Sequence, residues 1–143
     1  MALYEIKKVP DDVLRKTCTP LEKITLREKD IFEKMFFTMK YFDGIGLAAP
    51  QVGILQNLIV VDIGRETFKL ANPIIKESNG IDKMIEGCLS VPDHVVEIER
   101  AYKILVKGIN DEGKNIEIEA EGLLARVFQH EIDHLKGKLI IDY

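Results

Sequence analysis

The chain has 143 residues, 46% hydrophobic and 31% charged, with a formal net charge of −4. That length fits one domain, residues 1–143, with enough apolar material for a sizeable core. The acidic balance, with no basic run longer than a pair such as Lys7-Lys8, argues against a nucleic-acid or anionic-membrane surface.

The opening Met1-Ala2-Leu3-Tyr4-Glu5-Ile6 lacks the apolar core of a signal peptide, and no 18-residue apolar segment follows. A cytoplasmic protein is therefore expected. Residues 3–24 read as irregular to extended, punctuated by Pro10-Asp11-Asp12 and Pro20. Thr25-Leu26-Arg27-Glu28 has the form of a capping box. Ile31, Phe32, Met35, Phe36 and Met39 then recur on one helical face, which reads as core. Gly44 and Gly46 end that region.

Short β-branched runs come next. Leu58–Ile63 is a buried strand candidate, paired with Phe68–Pro73 across the turn at Gly64. Val95–Ile98 and Tyr102–Ile109 are further strands, and Asn110-Asp111-Glu112-Gly113 is turn chemistry. Beyond it Ile116, Ile118 and Ala120 alternate with Glu117, Glu119 and Glu121, so one face of that strand is solvated. A last helix runs from near Leu123 to Gly137, a residue suited to stop it. The order gives an α+β fold, with sheets packed around a central C-terminal helix and a second helix near the N-terminus.

That last helix carries Gln129-His130-Glu131-Ile132-Asp133-His134. Residues four apart on a helix lie about 5–6 Å apart on one face, so His130 and His134 can grip one cation. Glu131 lies beside that face and can accept a proton from water. A catalytic metal commonly has three protein ligands and an open position. The extended pattern His-Glu-x-x-His-x-x-Gly-x-x-His fails here, because its final position is Ile140. No glutamate follows His134, so the third ligand must come from upstream. Cys88, flanked by Gly87, is the strongest candidate, since a thiolate suits borderline-soft metals. Cys18 and His94 are the alternatives; His94, next to Pro92-Asp93, reads as a turn or surface residue. Two cysteines cannot form a disulfide framework.

Three segments together resemble the signature motifs of the peptide deformylase family: Gly44-Ile45-Gly46-Leu47-Ala48-Ala49-Pro50-Gln51, Glu86-Gly87-Cys88-Leu89-Ser90, and Gln129 to His134. The likeness spans nearly the whole chain, including Pro10-Asp11 and Glu121-Gly122-Leu123-Leu124-Ala125. It implies hydrolysis of the N-terminal formyl group from formyl-Met nascent polypeptides, releasing formate and a free amine. It further implies Fe²⁺, with Zn²⁺, Ni²⁺ or Co²⁺ able to substitute, held by Cys88, His130 and His134 with a water in the fourth position. Glu131 falls on the family's general base, and the Gln51 side chain and Leu89 N–H on its oxyanion donors. Gly44, Ile45 and Gly46 fall on the substrate-binding loop. Ile45, Met84, Leu123 and Val127 match positions lining the pocket for the first side chain, normally methionine.

The chain departs from the family pattern at two places. Val95 stands where some members carry an arginine near the substrate edge, leaving contacts beyond the first side chain open. The sequence ends at Tyr143, whereas many bacterial members continue into a C-terminal helix that helps some dock on the ribosome. A monomer is expected, whose ribosome contacts, if made, do not use that helix. Two other functions fit part of the pattern. A related amidase would take a larger N-acyl group, and a metal-stabilised binding module would show a closed four-ligand site.

Overall fold

The computed structural model describes residues 2–143. Its two α-helices are α1 (Leu26–Tyr41) and α2 (Leu123–Leu135). Its strands are β1 (Gly46–Ala48), β2 (Leu58–Asp62), β3 (Thr67–Asn79), β4 (Asp82–Cys88), β5 (Val91–Arg100), β6 (Lys103–Asn110) and β7 (Asn115–Glu121). All strand pairs are antiparallel: a five-stranded sheet in the order β1-β2-β3-β6-β7, and a two-stranded sheet of β4 and β5. The fold is α+β, as the pattern of elements predicts.

Period-two alternation explains how the larger sheet holds both helices. In β2, Ile59 and Val61 point to the face covered by α2, where they meet Phe128, Ile132 and Leu135. Leu58 and Val60 point the other way, to Ile31, Phe32, Met35 and Met39 of α1. Every residue of β2 is therefore buried, which is why Leu58–Val61 reads as a continuous apolar run. Burying one such side chain stabilises the fold by about 1.5–3 kcal/mol. At the sheet edge, Glu117, Glu119 and Glu121 stay exposed while Ala120 packs inward, the solvated row expected from sequence.

The helix ends have identifiable causes. The Glu28 carboxylate reaches back to the Thr25 N–H at 2.9 Å and also takes the Thr25 hydroxyl proton. Thr25 and Glu28 thus stand at the N-cap and third helical positions as the capping box expected from sequence. At the far end of α2, Gly137 has φ +76°, Gly137 N–H donates to His134 O and Lys138 N–H to Asp133 O. This is the Schellman pattern, and it ends the regular helix at Leu135, two residues before the glycine. Gly137 is also pressed against the Arg15 backbone, so no larger residue fits.

Two strands fall outside the expected set, β1 and β4, and β3 and β5 run further than their apolar runs suggest. β1 is three residues long and hydrogen-bonds to β2 through Leu47 and Ala48 opposite Val60 and Ile59. β4 exposes Lys83, Ile85 and Gly87 on one face and turns Glu86 and Cys88 inward on the other, with only β5 beside it in its sheet.

Candidate active site

α2 and β4 each supply one face of the site. Met84, Glu86 and Cys88 alternate along β4, so all three side chains project to the same side. The ladder slips between the pairs Glu86↔Val96 and Cys88↔Val91, so Pro92–Val95 bulge opposite the single residue Gly87. Irregularities of this kind re-aim side chains near functional sites. Facing β4, α2 presents His130 and His134 one turn apart, their ring centroids 5.1 Å from each other. Cys88 Sγ lies 3.4 Å from His134 Nε2. One donor atom from each of Cys88, His130 and His134 lies within 4.8 Å of the others. Among the described residues this group contains no fourth side chain.

Cys18 is remote from the group; it is buried beneath α2 and its N–H donates to Leu135 O at 2.9 Å. His94 is exposed on β5, at the rim of the cleft.

The outer ring of residues is built around Glu86. Its carboxylate accepts from His130 Nδ1 at 2.8 Å, from Arg100 Nη2 at 3.0 Å and Nε at 2.5 Å, and from Arg126 Nη1 at 2.5 Å. Burial alone would raise this carboxyl, but the His130 and Arg100 contacts outweigh it and bring it down to about 2. Arg100 continues outward to Asp133 at 3.0 Å and to the Tyr143 hydroxyl at 3.1 Å. Arg126 also donates to the Ile98 and Asp82 carbonyls. A carboxylate on one nitrogen of a histidine fixes the ring and leaves the other nitrogen for a cation.

The charges of the site follow from this packing. Burial presses the His130 imidazole down, but Glu131, Cys88 and Glu86 outweigh it and lift it to about 10. A cation taking Nε2 must displace that proton. His134 is held well below 6.5, by burial first and then by His130 and Arg100, so it is neutral and ready as a ligand. Burial raises the Glu131 carboxyl to about 7. Glu131 Oε1 and His134 Nδ1 are buried with no hydrogen-bond partner, and Glu131 Oε2 lies 4.0 Å from His130 Nε2. A cysteine sulfur, two imidazoles and orphaned polar atoms beside them fit a borderline-soft divalent cation.

Gln51 enters from the short 3₁₀ turn Ala49–Val52 that follows β1. Its Oε1 accepts from the Ala48 N–H at 2.9 Å; its Nε2 donates to Ser90 Oγ at 3.0 Å and lies 3.6 Å from Cys88 Sγ. Gly46 of β1 runs directly alongside Glu131 and Val127. A cleft of about 520 Å³ opens between these elements, and Gly44, Ile45, Gly46, Gln51, Met84, Cys88, Leu89, Leu123, Val127, His130 and Glu131 line it. Of the residues expected at the site, only His134 is absent from that lining, and it is 1% exposed at the base. The structure thus brings together the residues expected at the site and leaves the alternative ligands Cys18 and His94 outside the three-donor group. It adds Glu86, Ser90, Arg100, Arg126, Asp133 and Tyr143. Glu86 and Ser90 flank Cys88 within one motif, a signal that was available; the two arginines carry no local signature.

An α+β scaffold with a His-Glu-x-x-His helix at its centre and a cation-fitting donor set at a cleft defines a hydrolase. The polypeptide deformylase family model matches residues 3–143, and the chain belongs to that family of metalloenzymes. It is 48% identical over 142 residues to the peptide deformylase of Carboxydothermus hydrogenoformans, covering 99% of this chain and 93% of that one. It is 49% identical over 144 residues to that of Halothermothrix orenii, with 99% and 94% covered. The crystal structure of peptide deformylase from Thermotoga maritima superposes with a TM-score of 0.96 at 48% identity, covering 99% of this chain and 97% of that chain. No helix among the described residues is long and apolar enough to cross a membrane.

Proposed function

We propose that this enzyme hydrolyses the N-formyl group of formyl-Met nascent polypeptides, with Cys88, His130 and His134 holding Fe²⁺, for which Zn²⁺, Ni²⁺ or Co²⁺ can substitute. The observation that carries this reading is a three-donor group beside the buried carboxylate of Glu131, whose Oε1 has no partner, at the wall of an apolar cleft. When bound, a divalent cation acidifies water, so that hydroxide is available near neutral pH.

The chain's own residues supply the remaining chemistry. Glu131 takes the proton that the attacking water gives up and delivers it to the departing amine, which leaves poorly unless protonated. A carboxyl near 7 can both accept and return that proton. Negative charge develops on the formyl oxygen, where the Gln51 Nε2–H and the Leu89 N–H act as fixed donors. Gly44, Ile45 and Gly46 offer main-chain groups to an extended peptide in the manner of an added strand. Ile45, Met84, Leu123 and Val127 form the apolar wall that takes the methionine side chain. Water and the formyl amide are consumed; formate and a free amine leave.

Crowding supports formyl over larger acyl groups, since Glu131 and Val127 already fill the space beside Gly46. A non-catalytic module is disfavoured because no fourth donor closes the group among the described residues. A substrate that emerges from translating ribosomes places the enzyme in the cytoplasm.

Metal content and formate release from a formyl-Met peptide, measured on anaerobically purified protein, test the reading. Glu131→Gln is expected to keep the metal and lose turnover by about 10²–10⁴-fold. Near-normal turnover in that variant with full metal would remove the proton-transfer role. Faster cleavage of an acetyl-Met peptide than of the formyl one would favour the alternative amidase.

A further inference from the structure

We propose that Ser90 is a positioning residue that orients the Gln51 amide toward the reacting carbonyl. This rests on Gln51 acting as an oxyanion donor, as proposed above. A primary amide has two N–H donors and one acceptor in a single plane, and three fixed directions are needed to use one N–H reliably. At Gln51 the acceptor is taken by the Ala48 N–H at 2.9 Å, and one N–H is taken by Ser90 Oγ at 3.0 Å. The second N–H faces the cleft side, where Nε2 donates to Cys88 Sγ at 3.6 Å, a long contact to a weak acceptor that a substrate oxygen can replace.

Without Ser90 Oγ the amide keeps its Oε1 contact to the Ala48 N–H but loses the second anchor that fixes its plane. Nε2 would then be held only by its long contact to the Cys88 sulfur, and its second N–H would no longer be fixed on the line to the developing oxyanion. Ser90 is well placed to resist this. It is fully buried, and its carbonyl is itself pinned by the Val9 N–H at 2.9 Å. The Gln51 carbonyl is held likewise by the Lys7 N–H at 2.7 Å. Residues 7 and 9 of one N-terminal segment therefore fix both partners of the Gln51–Ser90 pair. A hydroxyl fixed at this point serves the amide rather than the substrate.

The test is a double-mutant cycle on Ni²⁺-loaded protein with Ser90→Ala, Gln51→Ala and both together. Ser90→Ala is expected to lower kcat about tenfold with KM unchanged, the size of one misplaced neutral hydrogen bond. Gln51→Ala is expected to lower kcat by about 10²-fold or more. Ser90→Ala should add nothing in the Gln51→Ala background. In ¹⁵N spectra of the metal-free protein, one Gln51 side-chain proton should exchange slowly in the wild type and rapidly in Ser90→Ala. Ser90→Cys, which keeps the volume but offers a poor acceptor, should reproduce the kinetic effect should the alanine variant fail to fold. Full additivity in the cycle, or unchanged kcat in Ser90→Ala, overturns the role given to Ser90. Unimpaired kcat in Gln51→Ala instead overturns the donor role of Gln51 itself.

Discussion

The Glu131 carboxylate occupies the space that a side chain at Gly46 would need. A Cβ built on Gly46 would overlap Glu131 Oε2 and come within 2.8 Å of Val127 Cγ1. Gly46 sits in β1, hydrogen-bonded opposite Val61, so the strand cannot retreat without breaking the sheet edge. Gly46→Ala must therefore push the carboxylate aside. Turnover is expected to fall by about 10²-fold, the effect of moving a reacting group by roughly 1 Å, with metal content unchanged. Metal analysis alongside kcat checks this, and an alanine variant of undiminished kcat would show that Glu131 has room to adapt.

Glu86 is the shared acceptor of two buried arginines and of His130. Replacing it with glutamine turns N–H donors toward the guanidinium groups and leaves their charge uncompensated. Glu86→Gln should destabilise the metal-free protein by about 3–5 kcal/mol, the cost of removing one member of a buried ion cluster. Metal affinity should fall about 10–100-fold, because His130 loses the group that orients it. Urea unfolding and chelator competition read the two effects separately. Unchanged values in both would mean that the arginines find other partners.

Burial in an apolar setting pushes the Cys18 thiol up to about 11 from 9.0. A raised folded-state value means that the neutral thiol's stability is fully present below about pH 9. It is lost as pH rises from 9 toward 11, where the unfolded chain ionises first. Cys18→Ala should lower stability at pH 7 through lost packing yet flatten the decline between pH 9 and 11. Denaturant midpoints across that range check the slope, and parallel curves for both proteins would contradict it. At pH 8 iodoacetamide should modify Cys88 of chelated protein well before Cys18.

Much of this arrangement is legible in the residues themselves. The β-branched runs, the apolar stripe of α1 and the Gly137 stop all fall where simple periodicity puts them. β1 is hidden because Gly46-Leu47-Ala48 is too short to show alternation. β4 is hidden because Asp82-Lys83 and Glu86-Gly87 interrupt any apolar face; its buried side meets an ion cluster rather than a core. At the site, the helix pair His130 and His134 is a local pattern and so can be read directly. Arg100 and Arg126 cannot be. Their meaning lies in contacts to Glu86 at separations of 14 and 40 residues, and an arginine in isolation looks like surface.

The two-stranded sheet of β4 and β5 rests on a small apolar cluster of Val91, Ile98 and Ile140, and is tied to α2 by Glu86 and Cys88, by Arg100 on Asp133 and by Arg126 on the Asp82 and Ile98 carbonyls. A cation shared by Cys88 and His134 would act as a rivet between this flap and the body of the protein, joining positions 46 apart in the chain. Stripping it would leave the larger sheet intact and the flap held to α2 only by the contacts of Glu86, Arg100 and Arg126. Resistance of that hairpin to proteases would then depend on whether the ion is in place.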